Sequence, residues 1–142
     1  MRAILLILIG FSSLSFAEVT KKNGVVHDST TKLEWQDDYS DNGGDIKSAT
    51  WKSAIDYCEA LSLDGGGWRL PNIRELESLV DDSKYNPSIN DVFEFTGSDD
   101  YWGSTSLAYL SNGARIVFFG NGLVNYNLKV NSLYVRCVRA GE

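Results

Sequence analysis

The sequence contains the segment TWKSAIDYCEAL at positions 50–61. Thr50 is a favourable helix N-cap, because its hydroxyl can accept a hydrogen bond from a free backbone amide of the first turn. The apolar residues that follow recur at helical spacing and predict one buried stripe on an α-helix, formed by Trp51, Ala54, Ile55, Cys58 and Leu61. Cys58 is therefore expected to face the core.

A second helix is predicted beyond the glycine-rich break at 64–67. Asn72 can cap this helix, and Glu75, three residues later, can complete a capping box. Its buried face is expected to comprise Ile73, Leu76, Leu79 and Val80. The helix should end near Asp81 and Asp82, since carboxylates oppose the dipole at a helix C-terminus.

The last third of the chain has the two-residue period of β-strands, beginning at Tyr101-Trp102-Gly103. Asn112-Gly113 is a hairpin signal, and strands are predicted over 114–119 and 123–126 with a polar loop over 127–131. In the final segment, one set of residues alternates with another: Leu133, Val135 and Cys137 with Tyr134, Arg136 and Val138. This places Cys137 on one face of a closing strand.

Two further strands are predicted near the start, over 24–28 and 33–36. Strands at both ends and two helices between them indicate an α+β domain in which two helices pack on an antiparallel sheet. No internal repeat or low-complexity tract interrupts this pattern.

The first 17 residues have the features of a secretory signal peptide. A basic start at Arg2 precedes an apolar run over 4–9, and Ser15-Phe16-Ala17 offers the small residues read by signal peptidase. Cleavage is expected between Ala17 and Glu18, which leaves a domain over 18–142 in the periplasm or outside the cell. The apolar run is shorter than the roughly 20 residues of a membrane-spanning helix, so the chain is not expected to span a membrane.

Two cysteines, Cys58 and Cys137, are present. In an oxidising compartment an even count favours a disulfide. The alternative is two unpaired buried thiols, which export disfavours.

The full chain carries 13 basic and 19 acidic residues, a net charge of −6. This balance argues against nucleic acid as a partner, because binding to phosphates requires a basic surface. The segment 102–142 is locally basic, with four basic residues, Arg115, Lys129, Arg136 and Arg139, against one acidic residue. An anionic ligand is therefore an expectation for that segment, with scattered surface charge as the alternative.

Several motifs together resemble one known family. They are GWRLPNIREL at 67–76, YWGST at 101–105 and YVRCVR at 134–139, together with Trp51 and Tyr57-Cys58. The chain resembles the DUF1566 family, also called the Lcl C-terminal domain, from about Val25 to Arg139. The resemblance implies a C-type-lectin-like fold, a bond between a cysteine of the first helix and one of the last strand, and export. Some members of the family are adhesins that bind glycosaminoglycans.

An enzymatic activity is not expected. His27, the one histidine, lies near a strand end without an evident nucleophile beside it. Pairing would occupy both cysteines, so the chemistry of formylglycine-generating enzymes, which share the family's fold, does not carry over. The three adjacent aspartate pairs are typical of solvated acidic turns: Asp37-Asp38, Asp81-Asp82 and Asp99-Asp100.

A calcium site is considered in the acidic loop that follows the second predicted strand. Calcium prefers several oxygen ligands, which could come from Asp37, Asp38, Asp41 and Asp45. A true EF-hand is excluded, because its twelfth position would be Ala49 rather than a glutamate. The calcium- and sugar-binding triplets of C-type lectins do not occur in the sequence.

The expected binding surface lies in the loops of the C-terminal third. Amide, ring and ammonium groups there suit recognition of a glycan or of an envelope or host protein, although asparagine also favours plain turns. The predicted ligand contacts are Tyr109, Asn112, Asn125, Tyr126, Asn127 and Lys129, with Asn121 and Asn131 beside them. The alternative function is a structural or assembly component of the cell envelope that packs against a partner protein.

Overall fold

The structure, a computed structural model, describes residues 18–141. The predicted signal peptide over 1–17 lies outside the described residues. This part of the chain forms two α-helices and nine β-strands, in the order β1 (Val19–Lys22), β2 (Val25–Asp28), β3 (Leu33–Gln36), β4 (Ser48–Ala49), α1 (Trp51–Ala60), α2 (Ile73–Glu77), β5 (Asp100–Ser106), β6 (Gly113–Phe118), β7 (Leu123–Leu128), β8 (Leu133–Tyr134) and β9 (Val138–Ala140).

The strands form two sheets. The first has the order β1-β2-β3-β9 and is antiparallel throughout. The second has the order β4-β8-β5-β6-β7 and is antiparallel except where β5 runs parallel to β8. The predicted α+β class is confirmed, but the single antiparallel sheet is corrected to two sheets, one of them mixed.

Helix α1 has the start and the buried stripe that the sequence predicts. The Thr50 hydroxyl accepts from the Ser53 amide at 3.4 Å. Ala54 and Cys58 are fully buried. They pack in one core with Trp102 and Ile116 of the second sheet and with Val135, which follows β8.

Helix α2 begins as predicted and ends early. Asn72 Oδ1 accepts from the Glu75 amide at 2.8 Å, and Glu75 Oε1 accepts from the Asn72 amide at 2.9 Å, which confirms the capping box. The helix ends at Glu77 rather than near Asp81. The chain then continues in tight turns, and Val80 forms a β-bridge with Ile89, so tertiary pairing overrides the helical pattern.

The C-terminal segment crosses from one sheet to the other. The predicted continuous strand over 133–138 is wrong: β8 belongs to the second sheet, β9 belongs to the first, and residues 135–137 connect them. All three connecting residues are buried, because a segment passing between two sheets has no solvent-facing side.

Cys137 lies in this crossover and is bonded to Cys58 of α1. The two Cα atoms are 5.5 Å apart, within the range of unstrained disulfides. Gln36 supports the junction, since its carbonyl oxygen accepts from the Cys137 amide at 3.1 Å and its amide donates to the Tyr57 hydroxyl at 2.9 Å. The predicted pairing is confirmed, with Cys137 in a connection instead of on a strand face.

Two short strands, β1 and β4, were not predicted, and β7 extends two residues further than expected. Strand β7 therefore contains Asn127, which the sequence places in a loop. Within residues 18–141, none of the helices has the length and apolar character needed to cross a membrane.

Candidate functional site

The exposed apolar side chains are concentrated near the last β-hairpin. Six of the eight large apolar residues exposed in the described part of the chain lie between positions 109 and 130. Tyr109 is 73% exposed and Tyr126 is 44% exposed. We call this set the hairpin surface: Tyr109, Leu123, Val124, Tyr126, Leu128 and Val130. Such a concentration on one region commonly marks an interaction site.

Strand β7 is the edge of the second sheet and supplies most of the hairpin surface. Within residues 18–141 it pairs with β6 alone, in a register that places Tyr126 opposite Arg115. Because side chains alternate along a strand, Val124, Tyr126 and Leu128 share one face and Leu123 lies on the other. The strand contains no charged residue and no proline, although proteins usually protect exposed edges with such residues.

The asparagines of this region bind the protein's own backbone. Asn125 Oδ1 accepts from the Tyr126 amide at 2.8 Å, and Asn127 Oδ1 accepts from the Leu128 amide at 2.8 Å. Asn131 adds a bond of 2.7 Å to Asn127 Oδ1. These side chains satisfy amides along the edge strand, which is a protective role. Their predicted role as ligand contacts stays a prediction.

The side chains of Asn112 and Lys129 differ in their freedom to bind a ligand. Asn112 is exposed in the loop before β6. The Lys129 ammonium donates to Ser106 Oγ and to the Ser111 carbonyl, both at 2.8 Å, and lies 4.0 Å from the centre of the Trp51 ring. Lys129 thus joins the loop before β6 to the N-terminal end of α1.

The basic excess of the C-terminal third is largely consumed within the fold. Arg136 pairs with Asp37, and Arg139 pairs with both Glu34 and Asp64. Arg115 has no ion pair within residues 18–141 and has intermediate exposure. The expectation of an anionic ligand is therefore not supported by a basic patch at this surface.

A buried ion pair between Asp37 and Arg136 was not predicted. Their side chains are 0% and 1% exposed, and Asp37 Oδ1 lies 3.2 Å from Arg136 Nη1. Asp37 also binds Lys21 at 2.8 Å and accepts from the Glu94 and Phe95 amides at 2.8 and 3.1 Å. The interpretation of Asp37 as part of a solvated acidic turn is wrong.

Arg136 completes this cluster from the crossover between the sheets. It donates to the Gln36 carbonyl at 2.8 Å, to Thr96 Oγ1 at 2.9 Å and to the Phe95 carbonyl. Burial disfavours its charge, but nearby Tyr39, Tyr101 and Asp37 raise the pKa of the guanidinium above its ordinary value. Partial burial likewise opposes the charge of Lys21, but the Asp37 and Glu94 carboxylates raise the pKa of that ammonium. The cluster ties the first sheet to the irregular segment over 93–97.

The predicted calcium ligands do not converge. Asp37 is occupied by cations, Asp38 Oδ1 accepts from the Ser40 amide at 2.8 Å, and Asp41 Oδ1 accepts from the Tyr57 hydroxyl at 3.3 Å. The bond from Ser40 lowers the pKa of Asp38. The Asp45 side chain is exposed. Across residues 18–141, no three side chains among histidine, cysteine, aspartate and glutamate are placed to hold a metal ion, so the expected calcium site is not assembled.

His27 belongs to a charged cluster beside the glycine-rich loop. Its Nδ1 lies 2.9 Å from Glu34 Oε2, and Arg139 binds the other oxygen of Glu34 at 2.8 Å. Arg139 also stacks 4.3 Å from the Trp68 ring and binds Asp64. In the described residues no hydroxyl or thiol hydrogen-bonds to His27, so the geometry contains a base and an orienting carboxylate without a nucleophile.

Comparison with known protein families identifies the chain. The family model described as the Lcl C-terminal domain matches residues 24–139, which extend from the first hairpin to β9. The chain belongs to the Lcl C-terminal domain family. The predicted resemblance is thereby confirmed. No curated protein matches the sequence.

The residues matched in this Lcl C-terminal domain contain the sequence motifs, and the structure shows what those motifs do. GWRLPNIREL supplies Trp68, which packs against Arg139, and Arg69, which binds both carboxylate oxygens of the capping residue Glu75 at 2.6 and 2.7 Å. YVRCVR supplies Arg136 and Cys137 of the crossover. The motifs therefore encode the scaffold, while the hairpin surface lies between them.

Proposed function

We propose that this Lcl C-terminal domain is an exported, non-catalytic binding module that recognises its ligand through the hairpin surface. The observation that carries the proposal is the concentration of exposed apolar side chains on an uncharged edge strand and its adjoining loops. Burial of such a surface is favourable for association, since apolar area is removed from water. A C-type-lectin-like fold belongs to this proposal and is supported by the bond between the first helix and the C-terminal crossover.

The chemistry of the hairpin surface favours a protein ligand over a glycan. Four of its six members are aliphatic: Leu123, Val124, Leu128 and Val130. Tyr109 and Tyr126 could stack on a sugar ring, but the side-chain oxygens of Asn125 and Asn127, which could bind its hydroxyls, already accept from backbone amides of β7. Aromatic side chains surrounded by aliphatic contacts are typical of protein interfaces.

The outer edge of β7, which pairs with no further strand within residues 18–141, supports a second candidate function, a structural or assembly component of the envelope. A partner strand added there would take the place of the Asn125 and Asn127 side chains at the Tyr126 and Leu128 amides. An edge strand can add a strand from a partner chain through main-chain hydrogen bonds. This function predicts that the protein co-purifies with one partner at a fixed stoichiometry, whereas a recognition module exchanges between bound and free states.

The test measures capture of envelope proteins and of arrayed glycans by the purified protein, with matched tyrosine variants. We expect Tyr109→Ala and Tyr126→Ala each to weaken capture about tenfold, which corresponds to about 1.4 kcal/mol of binding free energy. The control is Tyr85→Ala, an exposed tyrosine beside the far end of the hairpin, where the Asn86 amide donates to the Gly120 carbonyl. Its capture should remain unchanged.

Three results would be informative. Loss of protein capture in the two hairpin variants alone supports the proposal. Saturable binding to one glycan class, lost in the same variants, supports the module but replaces its ligand class. If all three variants capture as much ligand as the unsubstituted protein does, recognition lies elsewhere and the assignment of the hairpin surface is overturned.

A further inference from the structure

A cavity lies between the first sheet and the segment that follows α2. Its volume is about 300 Å³. Its walls are mixed in polarity. The apolar part is formed by Val19, Val26, Trp35, Leu79, Val80 and Phe93, and Ser78 and Asn90 belong to the polar part. The aspartates Asp28, Asp81 and Asp82 also line it. We call this space the Trp35 cavity, and its size suits a small organic molecule.

Trp35 differs from the other three tryptophans in its hydrogen bonding. The indole N–H groups of Trp51, Trp68 and Trp102 donate to backbone carbonyls at 3.0, 2.7 and 2.8 Å. Trp35 is 0% exposed, and its Nε1 has no acceptor in the part of the chain that is described. Buried donors are nearly always satisfied in native proteins, so this group requires an explanation. The Trp35 cavity borders this residue. The indole N–H itself is closed off, so an acceptor in the cavity reaches Nε1 only when the wall between them shifts.

The charge of the cavity is negative. None of its three aspartates forms an ion pair within residues 18–141, and Lys84, the nearby cation, is bound to Asp91 at 2.8 Å. Asp28 and Asp81 accept hydrogen bonds within their own turns, from Thr30 and Ser83. The Asp82 carboxylate is exposed and accepts no such bond. A cation that entered the cavity would therefore meet carboxylates without competing for an existing ion pair.

We propose that the Trp35 cavity binds a small primary ammonium with a compact apolar body and one hydrogen-bond acceptor. The apolar body fills the space between Val26, Leu79 and Phe93. The ammonium lies against the aspartates, and the acceptor takes a hydrogen bond from the Trp35 indole N–H after a small opening of the wall. A free amine and the N-terminal residue of a peptide share this chemistry. This site is separate from the hairpin surface.

The experiment is a titration of the isotope-labelled exported protein followed by ¹H–¹⁵N correlation spectra, in which each tryptophan indole gives its own signal. The probes are leucinamide, its analogue without the amino group (4-methylpentanamide), and the tripeptide amide Leu-Gly-Gly. We expect leucinamide to shift the Trp35 signal saturably, with the signals of Trp51, Trp68 and Trp102 unmoved. The neutral analogue should bind about tenfold more weakly or worse, since it lacks the charge.

Variants test the charge contribution. Asp82→Asn and Asp82→Lys should weaken leucinamide about fivefold and more than tenfold respectively, while Asp56→Asn on the exposed face of α1 leaves the affinity unchanged. Binding of the tripeptide as tightly as leucinamide would identify a peptide N-terminus as the source, and binding of leucinamide alone would identify a free amine. No saturable shift with either probe, or equal affinity for the amine and its neutral analogue, would overturn the proposal.

Discussion

Replacement of Arg136 by methionine tests the buried cluster that ties the crossover and the first sheet to the segment over 93–97. Arg136 donates to two backbone carbonyls, to Thr96 Oγ1 and to Asp37. Methionine fills a similar volume but leaves these acceptors without the guanidinium. Asp37 retains Lys21 and two backbone amides, so its charge stays partly compensated. Removal of one member of a buried ion pair costs about 3–5 kcal/mol.

That loss is large beside the roughly 5–15 kcal/mol by which most domains are stable. The assay is urea denaturation of the purified protein, followed by circular dichroism. With a slope of about 2 kcal/mol per M, a loss of 4 kcal/mol lowers the midpoint by about 2 M. Arg115→Met, at an unpaired and partly exposed arginine, is the control and should cost about 1 kcal/mol at most.

A double-mutant cycle isolates the interaction between the two charges. Asp37→Asn combined with Arg136→Met should cost less than the sum of the single variants, by about 1–3 kcal/mol. Two results would contradict this account. The free energy of unfolding of Arg136→Met could lie within about 1 kcal/mol of that of the unsubstituted protein, or the losses of the two single variants could simply add; in either case the cluster does not have the stabilising role described for it.

Three further predictions concern other elements. Glu75→Gln should cost about 1 kcal/mol of stability near neutral pH. The bond from Arg69 lowers the pKa of Glu75 against the opposing effect of burial, so this stabilisation is present above the ordinary pKa of 4.5 and declines as pH falls through the lower folded value. Urea midpoints of both proteins from pH 7 to pH 3 should therefore converge, and a difference that stays constant with pH would contradict the prediction. Lys129→Met should cost about 1 kcal/mol of stability, because two hydrogen bonds and the contact with Trp51 are lost. The control is Lys52→Met, whose partner Asp56 is one turn along α1, and which should cost about 0.5 kcal/mol or less in the same urea denaturation assay. Calcium and chelator should leave the melting temperature unchanged, and a rise that grows with calcium concentration would contradict the description of the acidic loop.

Local signals in the sequence predicted the elements whose cause is local. The caps at Thr50 and Asn72 were predicted because capping depends on a few neighbouring residues. The Asn-Gly signal at 112–113 correctly marked a hairpin, that of β5 and β6, but not a two-residue turn. Asn23 and Gly24 both have positive φ, at 53° and 76°, and form the two-residue turn between β1 and β2. Asn112-Gly113 instead closes a longer loop between β5 and β6.

Features that depend on distant residues were missed. Alternation over 133–138 predicted a single strand with Arg136 and Cys137 on opposite faces, but those residues change sheets, which periodicity cannot reveal. The ion pair of Asp37 with Arg136 joins residues 99 positions apart, and no local pattern in either segment predicts which residue the other will contact.

The candidate site was predicted in part. Tyr109 and Tyr126 were assigned to an exposed surface, and both are exposed. Four apolar residues were not included in the predicted surface: Leu123 and Val124 lay in a predicted strand, and Leu128 and Val130 lay in a predicted polar loop. Their exposure follows from the position of β7 at the sheet edge, which the strand order determines.

The covalent link between α1 and the crossover can be measured directly in protein purified without a reducing agent. Trypsin should release residues 53–69 and 137–139 as two peptides joined through Cys58 and Cys137. We expect mass spectrometry without reduction to detect the joined species and reduction to separate it. Recovery of both peptides unlinked, each with a thiol that reacts with an alkylating agent, would contradict the scaffold on which the hairpin surface is displayed.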